Sequence, residues 1–175
     1  ETDFVAGALL LINKPLEWTS FDVVKKVRNM IKKKIQLQKI KVGHAGTLDP
    51  LASGLLIICT GKFTKRIDEI QGQIKTYTGN ITLGGTTPSY DLETKVNHSF
   101  ETAHITEKLL EATAKKFVGK INQVPPIFSA LKKNGKRLYR LARKNKEVTI
   151  EIRTVIIHCF KITNIYSPKL IFKIS

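Results

Sequence analysis

One segment in the first third of the chain combines a carboxylate and an imidazole with residues that shape the backbone. It reads Gly43-His44-Ala45-Gly46-Thr47-Leu48-Asp49-Pro50-Leu51-Ala52-Ser53-Gly54. Glycines permit positive φ and close approach of the backbone, and Pro50 restricts Asp49 to extended geometry. The segment therefore predicts a shaped loop that holds the Asp49 carboxylate rigidly.

Asp49 and His44 are the candidate reactive groups of this loop. Asp49 is the one acidic residue between Asp22 and Asp68, so the surrounding positive charge favours its ionised, nucleophilic form. From spacing alone, an Asx-turn carboxylate beside a helix cap is an equally good interpretation. His44 suits a base, a phosphate donor or a base-stacking platform, and also a hydrogen-bonded turn histidine.

The charge of the chain favours a polyanionic partner. Basic residues outnumber acidic ones by 30 to 14, a formal net charge of +16. Two long segments contain no acid, and because solvated helix faces would mix acids with bases, nucleic-acid contact is the better interpretation. The pattern does not distinguish RNA from DNA. The bases of these segments are Lys25, Lys26, Arg28, Lys32, Lys33, Lys34, Lys39 and Lys41, then Lys115, Lys116, Lys120, Lys132, Lys133, Lys136, Arg137, Arg140, Arg143, Lys144 and Lys146.

Length and composition predict one soluble globular domain. The chain has 175 residues, of which 42% are hydrophobic and 25% charged, enough for a core of its own. No apolar run has membrane-spanning length and no basic segment precedes an apolar one at the beginning, which favours a cytoplasmic protein without a membrane partner. Cys59 and Cys159 lack the number and spacing of a disulfide framework or a zinc site, so we expect buried reduced thiols and no metal.

Hydrophobic periodicity predicts an α+β fold with a mixed, largely antiparallel central sheet flanked by helices. Thr19 or Ser20 can cap a helix whose apolar face includes Val23, Val24 and Met30, and Thr106 can cap another that ends near Gly119. A basic helix is predicted over residues 136–144. A buried strand is predicted over residues 8–12, and further strands are predicted over residues 55–59, 74–83, 149–166 and 170–174.

The Asp49 loop resembles the signature of TruB-type tRNA pseudouridine synthases. The likeness continues through Leu56 and reappears in four more segments in the same order, so it covers most of the chain. Five ordered matches identify the chain as a member of this family, where one loop would not. The other segments are Leu11-Ile12-Asn13-Lys14-Pro15, Thr64-Lys65, Lys75-Thr76-Tyr77, and Pro125 to Lys132 with Gly135 to Tyr139.

The resemblance implies a pseudouridine synthase-like catalytic domain that isomerises a uridine without a cofactor. Asp49 matches the nucleophile that detaches uracil from its ribose and lets it reattach through carbon instead of nitrogen. Nothing is oxidised, hydrolysed or carried in this reaction. Attack on the sugar and attack on the pyrimidine ring both stay open. Tyr77 matches a tyrosine that stacks on the target base and takes the proton from its C5, with a strand-core tyrosine as the alternative.

The implied substrate is the T arm of tRNA, in which uridine 55 must be flipped out at a cost of a few kcal/mol. His44 would lie against the flipped nucleotide and the vacated stack. Asp91 matches an acidic position beside the site, with a loop-tip aspartate as the alternative. The remaining substrate-binding residues implied by the match are Lys14, Thr47, Leu48 and Lys65, and, in a segment that closes over the RNA, Lys132, Lys136, Arg137 and Tyr139. We expect no obligate protein partner and a monomer.

The resemblance also concerns the end of the chain. Family members continue after the strand that ends here at Ser175 into a Lys-Gly-Thr-Tyr-Ile-Arg motif, whose arginine pairs with the catalytic aspartate. Residues 1–175 are therefore expected to form one catalytic domain that lacks its C-terminal part, and no separate RNA-binding domain is visible. Two other hypotheses are an RNA-binding or chaperone module, in which the Asp49 loop is only a turn, and a guide-RNA-dependent relative, against which the flanking segments argue.

Overall fold

The computed structural model describes residues 2–126, 132–133, 136–137 and 151–175. Within these ranges the chain forms three α-helices, one 3₁₀ segment and twelve strands. The helices are α1 (Ser20–Lys34), α2 (Ile67–Gln71) and α3 (Glu107–Lys116), and the 3₁₀ segment is Gly61–Arg66. The strands are β1 (Leu9–Lys14), β2 (Val42–His44), β3 (Gly54–Thr60), β4 (Tyr77–Thr82), β5 (Gly85–Thr86), β6 (His98–Ser99), β7 (Gly119–Gln123), β8 (Lys132–Lys133), β9 (Lys136–Arg137), β10 (Arg153–Ile157), β11 (Phe160–Tyr166) and β12 (Lys169–Ile174).

The chain divides into two compact units, Glu1–Gln73 and Ile74–Ser175. The first contains α1, α2 and β1 to β3, and the second contains α3 and β4 to β12. Helices and antiparallel sheets confirm the α+β class. Within the described ranges every strand pair is antiparallel, and the pairs belong to five small sheets rather than to one central sheet. The single-domain interpretation stays a prediction.

In the first unit, one helix packs on a three-stranded sheet. Strand β3 is the middle strand, as its apolar run predicts, and lies between β1 and β2. In the register, Lys14 of β1 is opposite Gly54 of β3, and His44 of β2 is opposite Ile58. The loop that contains Asp49 connects β2 to β3. The core between the sheet and α1 consists of Val23, Val24, Ile31, Val42, Leu56 and Ile58.

A capping box begins helix α1, in which Thr19, one of the two predicted caps, is the capping residue. The Thr19 hydroxyl accepts a hydrogen bond from the Asp22 amide, and the Asp22 carboxylate accepts one from the Thr19 amide at 2.9 Å. The acid in the first turn and the lysines in the last turn both suit the helix dipole. Met30 was expected on the buried face but is 61% exposed, so that part of the periodicity prediction is wrong.

Strand β1, predicted as a buried strand, is buried on one of its two faces. Side chains of a strand alternate between the two faces of its sheet. On the face toward α1, Leu10 and Ile12 of β1 pack against the core. On the other face Leu9, Leu11 and Leu55 are exposed. The continuous apolar run of residues 8–12 therefore does not indicate that both faces of the strand are buried.

The second unit contains the sheet order β11-β12-β4 and the separate pairs β10-β7, β5-β6 and β8-β9. Helix α3 packs against β11, and its predicted cap is confirmed because Thr106 Oγ1 accepts from the Leu109 amide at 3.2 Å. Edge-to-face contacts join Phe160 to Phe117 and to Phe172. Strand β4 begins at Tyr77, which is opposite Ile174 of β12.

The predicted basic helix over residues 136–144 is wrong at its beginning. Lys136 and Arg137 form β9 and pair with Lys133 and Lys132 of β8. The intervening sequence, Asn134-Gly135, is the dipeptide most typical of a two-residue hairpin turn. That signal outweighs a short helical period of apolar residues, because turn chemistry is more specific than periodicity over so few positions. The rest of the predicted helix lies outside the described residues.

Two further sequence predictions concern cysteines and membranes. Cys59 is a buried free thiol, as expected, whereas Cys159 is free and only half-buried. None of the helices in the described ranges has the length and apolar character needed to span a bilayer.

Candidate active site

The Asp49 carboxylate is exposed, while the backbone on both sides of it is anchored to the turn before α1. On one side, the buried Ser20 hydroxyl accepts from the Leu48 amide at 2.9 Å and donates to the Leu48 carbonyl at 3.1 Å. On the other side, the Glu17 amide donates to the Pro50 carbonyl at 2.8 Å. Asp49 therefore has a defined backbone position and an accessible side chain, as a nucleophile requires.

Glycines give this loop its shape at two positions. Gly46 has φ of +115° and Gly54 has φ of +120°, values that residues with a Cβ rarely adopt. A Cβ would meet no atom within 4 Å at either position, so conformation rather than space selects glycine. The prediction of a loop shaped by positive φ is confirmed at these two residues.

Lys14 lies at the end of β1 and is fully buried. Its ammonium donates to the carbonyls of Trp18 at 2.6 Å and Pro15 at 2.9 Å, so it closes the turn between β1 and α1. Burial lowers the pKa of Lys14, and the negative charge of Asp49 opposes that shift. Direct binding of substrate by Lys14 stays a prediction that this burial does not favour. A buried ammonium that is hydrogen-bonded to two carbonyls holds the turn in place. It also interacts electrostatically with Asp49, and it has no exposed surface that RNA could contact.

His44 lies at the end of β2 and is half-buried. Its Nδ1 is 2.6 Å from the Gly46 carbonyl oxygen. Because a carbonyl can only accept, Nδ1 carries the proton, and in the neutral ring Nε2 is then an acceptor. This contact is the one expected of a turn histidine, and it also sets the orientation of the ring. Contact of His44 with a flipped nucleotide stays a prediction.

Thr47 and Leu48 differ in their surroundings. Thr47 is exposed, whereas the partly buried Leu48 side chain packs against the core beneath α1. Leu48 therefore contributes to the site mainly through its anchored backbone. Its direct contact with substrate stays a prediction that this packing does not favour.

Lys65 lies in the 3₁₀ segment, near the opposite end of β3 from Gly54. It lines an open pocket of about 300 Å³ together with three more lysines. Four ammonium groups around one pocket form an anion-attracting surface. We call it the lysine pocket; its lining residues are Val5, Lys39, Ile40, Lys41, Gly61, Lys62, Thr64 and Lys65.

Tyr77 and Asp91 belong to the second unit. Tyr77 is 45% exposed at the first position of β4, which does not fit a fully buried core tyrosine. Asp91 is exposed in the loop between β5 and β6, where its carboxylate accepts from the Glu93 amide at 2.9 Å. Its carbonyl accepts from the Thr87 hydroxyl at 2.7 Å. The Asx-type contact is the one expected of a loop aspartate, and the roles of both residues stay predictions.

The predicted RNA-closing segment is described only in part. Lys132, Lys136 and Arg137 lie on the β8-β9 pair, in which Lys132 is opposite Arg137. Tyr139 lies outside the described residues. Among the described residues, no cluster of three or more histidine, cysteine or acidic side chains could hold a metal ion.

Sequence reasoning missed the two residues that organise the loop from the α1 side. Ser20 was considered as a helix cap, but its hydroxyl holds Leu48, 28 positions away. Trp18 was not singled out, although its carbonyl accepts the shorter of the two hydrogen bonds that the Lys14 ammonium donates. The sequence signal that could have pointed to Trp18 is its place as an aromatic residue directly before the capping threonine, Thr19.

The sequence and the fold were compared with those of known proteins, and both comparisons find pseudouridylate synthases or complexes with a similar fold. Residues 32–175 match the N-terminal domain of the TruB family of pseudouridylate synthases. The fold also resembles that of solved structures. A chain in a Cbf5-Nop10-Gar1 complex has a TM-score of 0.62 at 26% identity, with 98% of this chain and 39% of that chain covered. A chain in an H/ACA RNP bound to a substrate RNA has a TM-score of 0.60 at 22% identity, which concerns the fold alone.

Curated relatives are more similar still. The tRNA pseudouridine synthase B of Flavobacterium johnsoniae is 54% identical over 98% of this chain and 76% of its own length. That of Parabacteroides distasonis is 56% identical over 89% of this chain and 66% of its own length. This chain thus spans about two thirds to three quarters of these relatives. It belongs to the TruB family of pseudouridylate synthases, a class of enzymes.

Proposed function

We propose that this protein converts uridine 55 in the T loop of tRNA to pseudouridine, with Asp49 as the nucleophile. The observation that carries the proposal is an exposed carboxylate whose backbone neighbours, Leu48 and Pro50, are both hydrogen-bonded to the turn before α1. Relatives named tRNA pseudouridine synthase B, 54% and 56% identical to this chain, support tRNA as the substrate.

The reaction needs a nucleophile and a proton acceptor. The bond from uracil N1 to ribose C1′ breaks, a bond from uracil C5 to C1′ forms, the C5 proton leaves and N1 takes up a proton. The Asp49 carboxylate supplies a transient covalent bond, at the ribose or at the pyrimidine ring. No electrons are gained or lost in this exchange of bonds.

His44 and Tyr77 have proposed roles around the flipped nucleotide. The hydrogen bond from Nδ1 to Gly46 holds the His44 ring, which suits it to stand beside the vacated stack. Tyr77 would stack on the uracil and take the C5 proton. Asp91 would orient neighbouring groups. Lys65 and the lysines and arginine of β8 and β9 would contact phosphates.

Asp49→Asn is the direct test of this function. Full-length protein is incubated with an unmodified T-arm RNA, and both pseudouridine content and RNA affinity are measured. We expect Asp49→Asn to abolish conversion and to leave the dissociation constant within about twofold, because the amide keeps the size of the side chain but is not nucleophilic. Asp68→Asn, an exposed acid of α2 outside the loop, is the matched control and should retain full conversion.

The same experiment discriminates the alternatives. An RNA-binding or chaperone module would show no conversion by the wild-type protein, and activity that survives Asp49→Asn would overturn the proposed nucleophile. Conversion by the purified protein alone, without another protein or a guide RNA, would exclude the guide-dependent alternative. We further propose that the protein acts as a monomer in the cytoplasm. Light scattering with and without RNA tests the first of these two statements.

A further inference from the structure

An open groove of about 410 Å³ lies on the surface beside the N-terminal half of α1. Its helical residues are Asp22, Lys25, Lys26 and Asn29, spaced so that they share one face of the helix. Trp18, from the turn before α1, is 40% exposed and supplies an aromatic surface. We call this the Trp18 groove; its lining residues are Glu17, Trp18, Asp22, Lys25, Lys26 and Asn29. The mechanism above uses none of them directly.

The position of Trp18 is tied to the position of Asp49. The buried Lys14 ammonium holds the Trp18 carbonyl at 2.6 Å. The preceding residue, Glu17, donates its amide to Pro50, the residue after Asp49, at 2.8 Å. Two hydrogen bonds of the same turn therefore place the aromatic residue and the nucleophile in one rigid arrangement. A ligand that rests on Trp18 has a defined position relative to the Asp49 loop.

The groove has the chemistry of a nucleotide site. Lys25 and Lys26 belong to the acid-free stretch that begins after Asp22. The Asp22 carboxylate accepts from the Thr19 amide and hydroxyl and also interacts electrostatically with Lys25. Lys25 and Lys26 offset the two acids of the lining, Glu17 and Asp22, and supply the cations that an incoming phosphate would contact. An indole face accepts a base by stacking, and adjacent ammonium groups accept its phosphates. A base inside a duplex does not present a free face, so an unpaired nucleotide is required.

We propose that the Trp18 groove binds a second unpaired nucleotide of the RNA substrate, with its base on the Trp18 indole and its phosphates at Lys25 and Lys26. This inference rests on the proposed function, because it takes RNA as the substrate. It adds a contact that holds the loop while the reacting nucleotide is extruded. Loss of one base–aromatic stack weakens binding roughly 5- to 150-fold.

Tryptophan fluorescence tests the proposal, because Trp18 is the one tryptophan of the sequence. An unmodified T-arm stem–loop is titrated into wild-type protein, with Trp18→Phe as the background and a fully paired duplex of equal length as the control RNA. We expect the stem–loop to quench the emission in parallel with binding, and the duplex to leave it nearly unchanged. Binding of the stem–loop without quenching, or equal quenching by the duplex, would overturn the proposal.

Kinetics of variants provide a second test. Trp18→Ala should raise KM roughly 5- to 150-fold with little change in kcat, and Trp18→Phe should restore most of the affinity. Phe21→Ala is the control, since Phe21 is a 61% exposed aromatic residue outside the groove, and it should remain within about twofold of wild type. A lower kcat at unchanged KM would overturn the proposal. If the stem–loop quenches Trp18 but no uridine is converted, the proposed function fails and the nucleotide groove stands.

Discussion

Ser20 shows how one buried hydroxyl can determine the place of a reactive residue. It donates to and accepts from Leu48, the residue directly before Asp49. We expect Ser20→Ala to lower the free energy of unfolding by about 1–3 kcal/mol, because the Leu48 amide and carbonyl lose a buried partner. Conversion should fall with little change in RNA affinity. Urea unfolding and single-turnover assays measure the two effects.

Ser99→Ala is the control for that experiment. Ser99 is an exposed residue of β6 in the second unit, and its replacement should change stability by less than about 0.5 kcal/mol. Unchanged stability of Ser20→Ala would show that Leu48 is held by other contacts.

Lys14 is expected to make stability depend on alkaline pH. Its pKa is lowered by burial, so the unfolded chain binds this proton more tightly than the folded protein does. Burying the charged ammonium lowers the free energy of unfolding. This loss has its full size below the lowered pKa and disappears as the pH rises toward the ordinary value of 10.5. The unfolding free energy of wild type relative to Lys14→Met should therefore increase as the pH rises from the lowered pKa of Lys14 to the ordinary value of 10.5.

Urea unfolding of both proteins at each pH measures this difference. Lys95→Met, a substitution at an exposed position, is the control and should show no such trend. If the unfolding free energy of wild type relative to Lys14→Met decreased with pH, the direction of the Lys14 pKa shift would be contradicted. The two carbonyl contacts do not complicate the interpretation, because a neutral amine can still donate two hydrogen bonds to Pro15 and Trp18.

At the scale of an element, the capping box of α1 supports the site through the helix that carries Ser20. Thr19→Ala should lower the free energy of unfolding by about 1 kcal/mol, because the Asp22 amide loses its acceptor. The Thr19 hydroxyl and amide also lower the pKa of Asp22. This contribution to stability is present above the ordinary value of 3.8 and is lost as the pH falls through the lowered pKa.

Thermal unfolding of Asp22→Asn against pH tests that sign. The variant should melt below wild type near neutral pH, and the difference should vanish in acid. Thr106→Ala is the matched control. It removes the cap of α3, where the residue at the equivalent third position is Leu109 and not a carboxylate, so its effect should not depend on acid pH in this way.

Elements with several agreeing signals were predictable from the sequence. Helices α1 and α3 have a cap and an apolar period, and β3 has a branched apolar run between two glycines. The β8-β9 pair was not predicted, because the prediction followed the helical spacing of a few apolar residues and did not consider the Asn134-Gly135 turn signal. The burial predicted for β1 is found on one face, since a sequence does not say how many faces of a sheet are covered by other elements.

At the scale of the whole molecule, the net charge of +16 predicts strongly salt-dependent RNA binding. If about four phosphates are neutralised, affinity should fall about 100-fold between about 50 mM and about 200 mM salt. Lys41→Ala and Lys65→Ala in the lysine pocket should each reduce the slope of log affinity against log salt by about 1. Lys169→Ala, on β12, serves as the control. A salt response that is flat for wild type would contradict a phosphate-binding surface.

Chemistry that depends on neighbours in the chain could be inferred from the amino acids alone. The glycines and the proline around Asp49 act over a few residues, and so do the cap of α1 and the acid-free basic stretch. These short-range features were enough to predict the shaped loop, and the resemblance of five segments was enough to predict the family, whereas the role of Asp49 as nucleophile stays a prediction. The tRNA position and the individual binding roles depended on resemblance and stay predictions.

Contacts between distant parts of the chain emerged only after folding. Ser20 meets Leu48 across 28 positions, and Glu17 meets Pro50 although another helix and strand lie between them. Lys14 looks like a surface lysine in the sequence, yet its ammonium is buried beneath the turn that carries Trp18. Burial and hydrogen-bond partners are properties of the packed chain, because each depends on which remote segment covers a residue, and no local pattern of side chains specifies that neighbour.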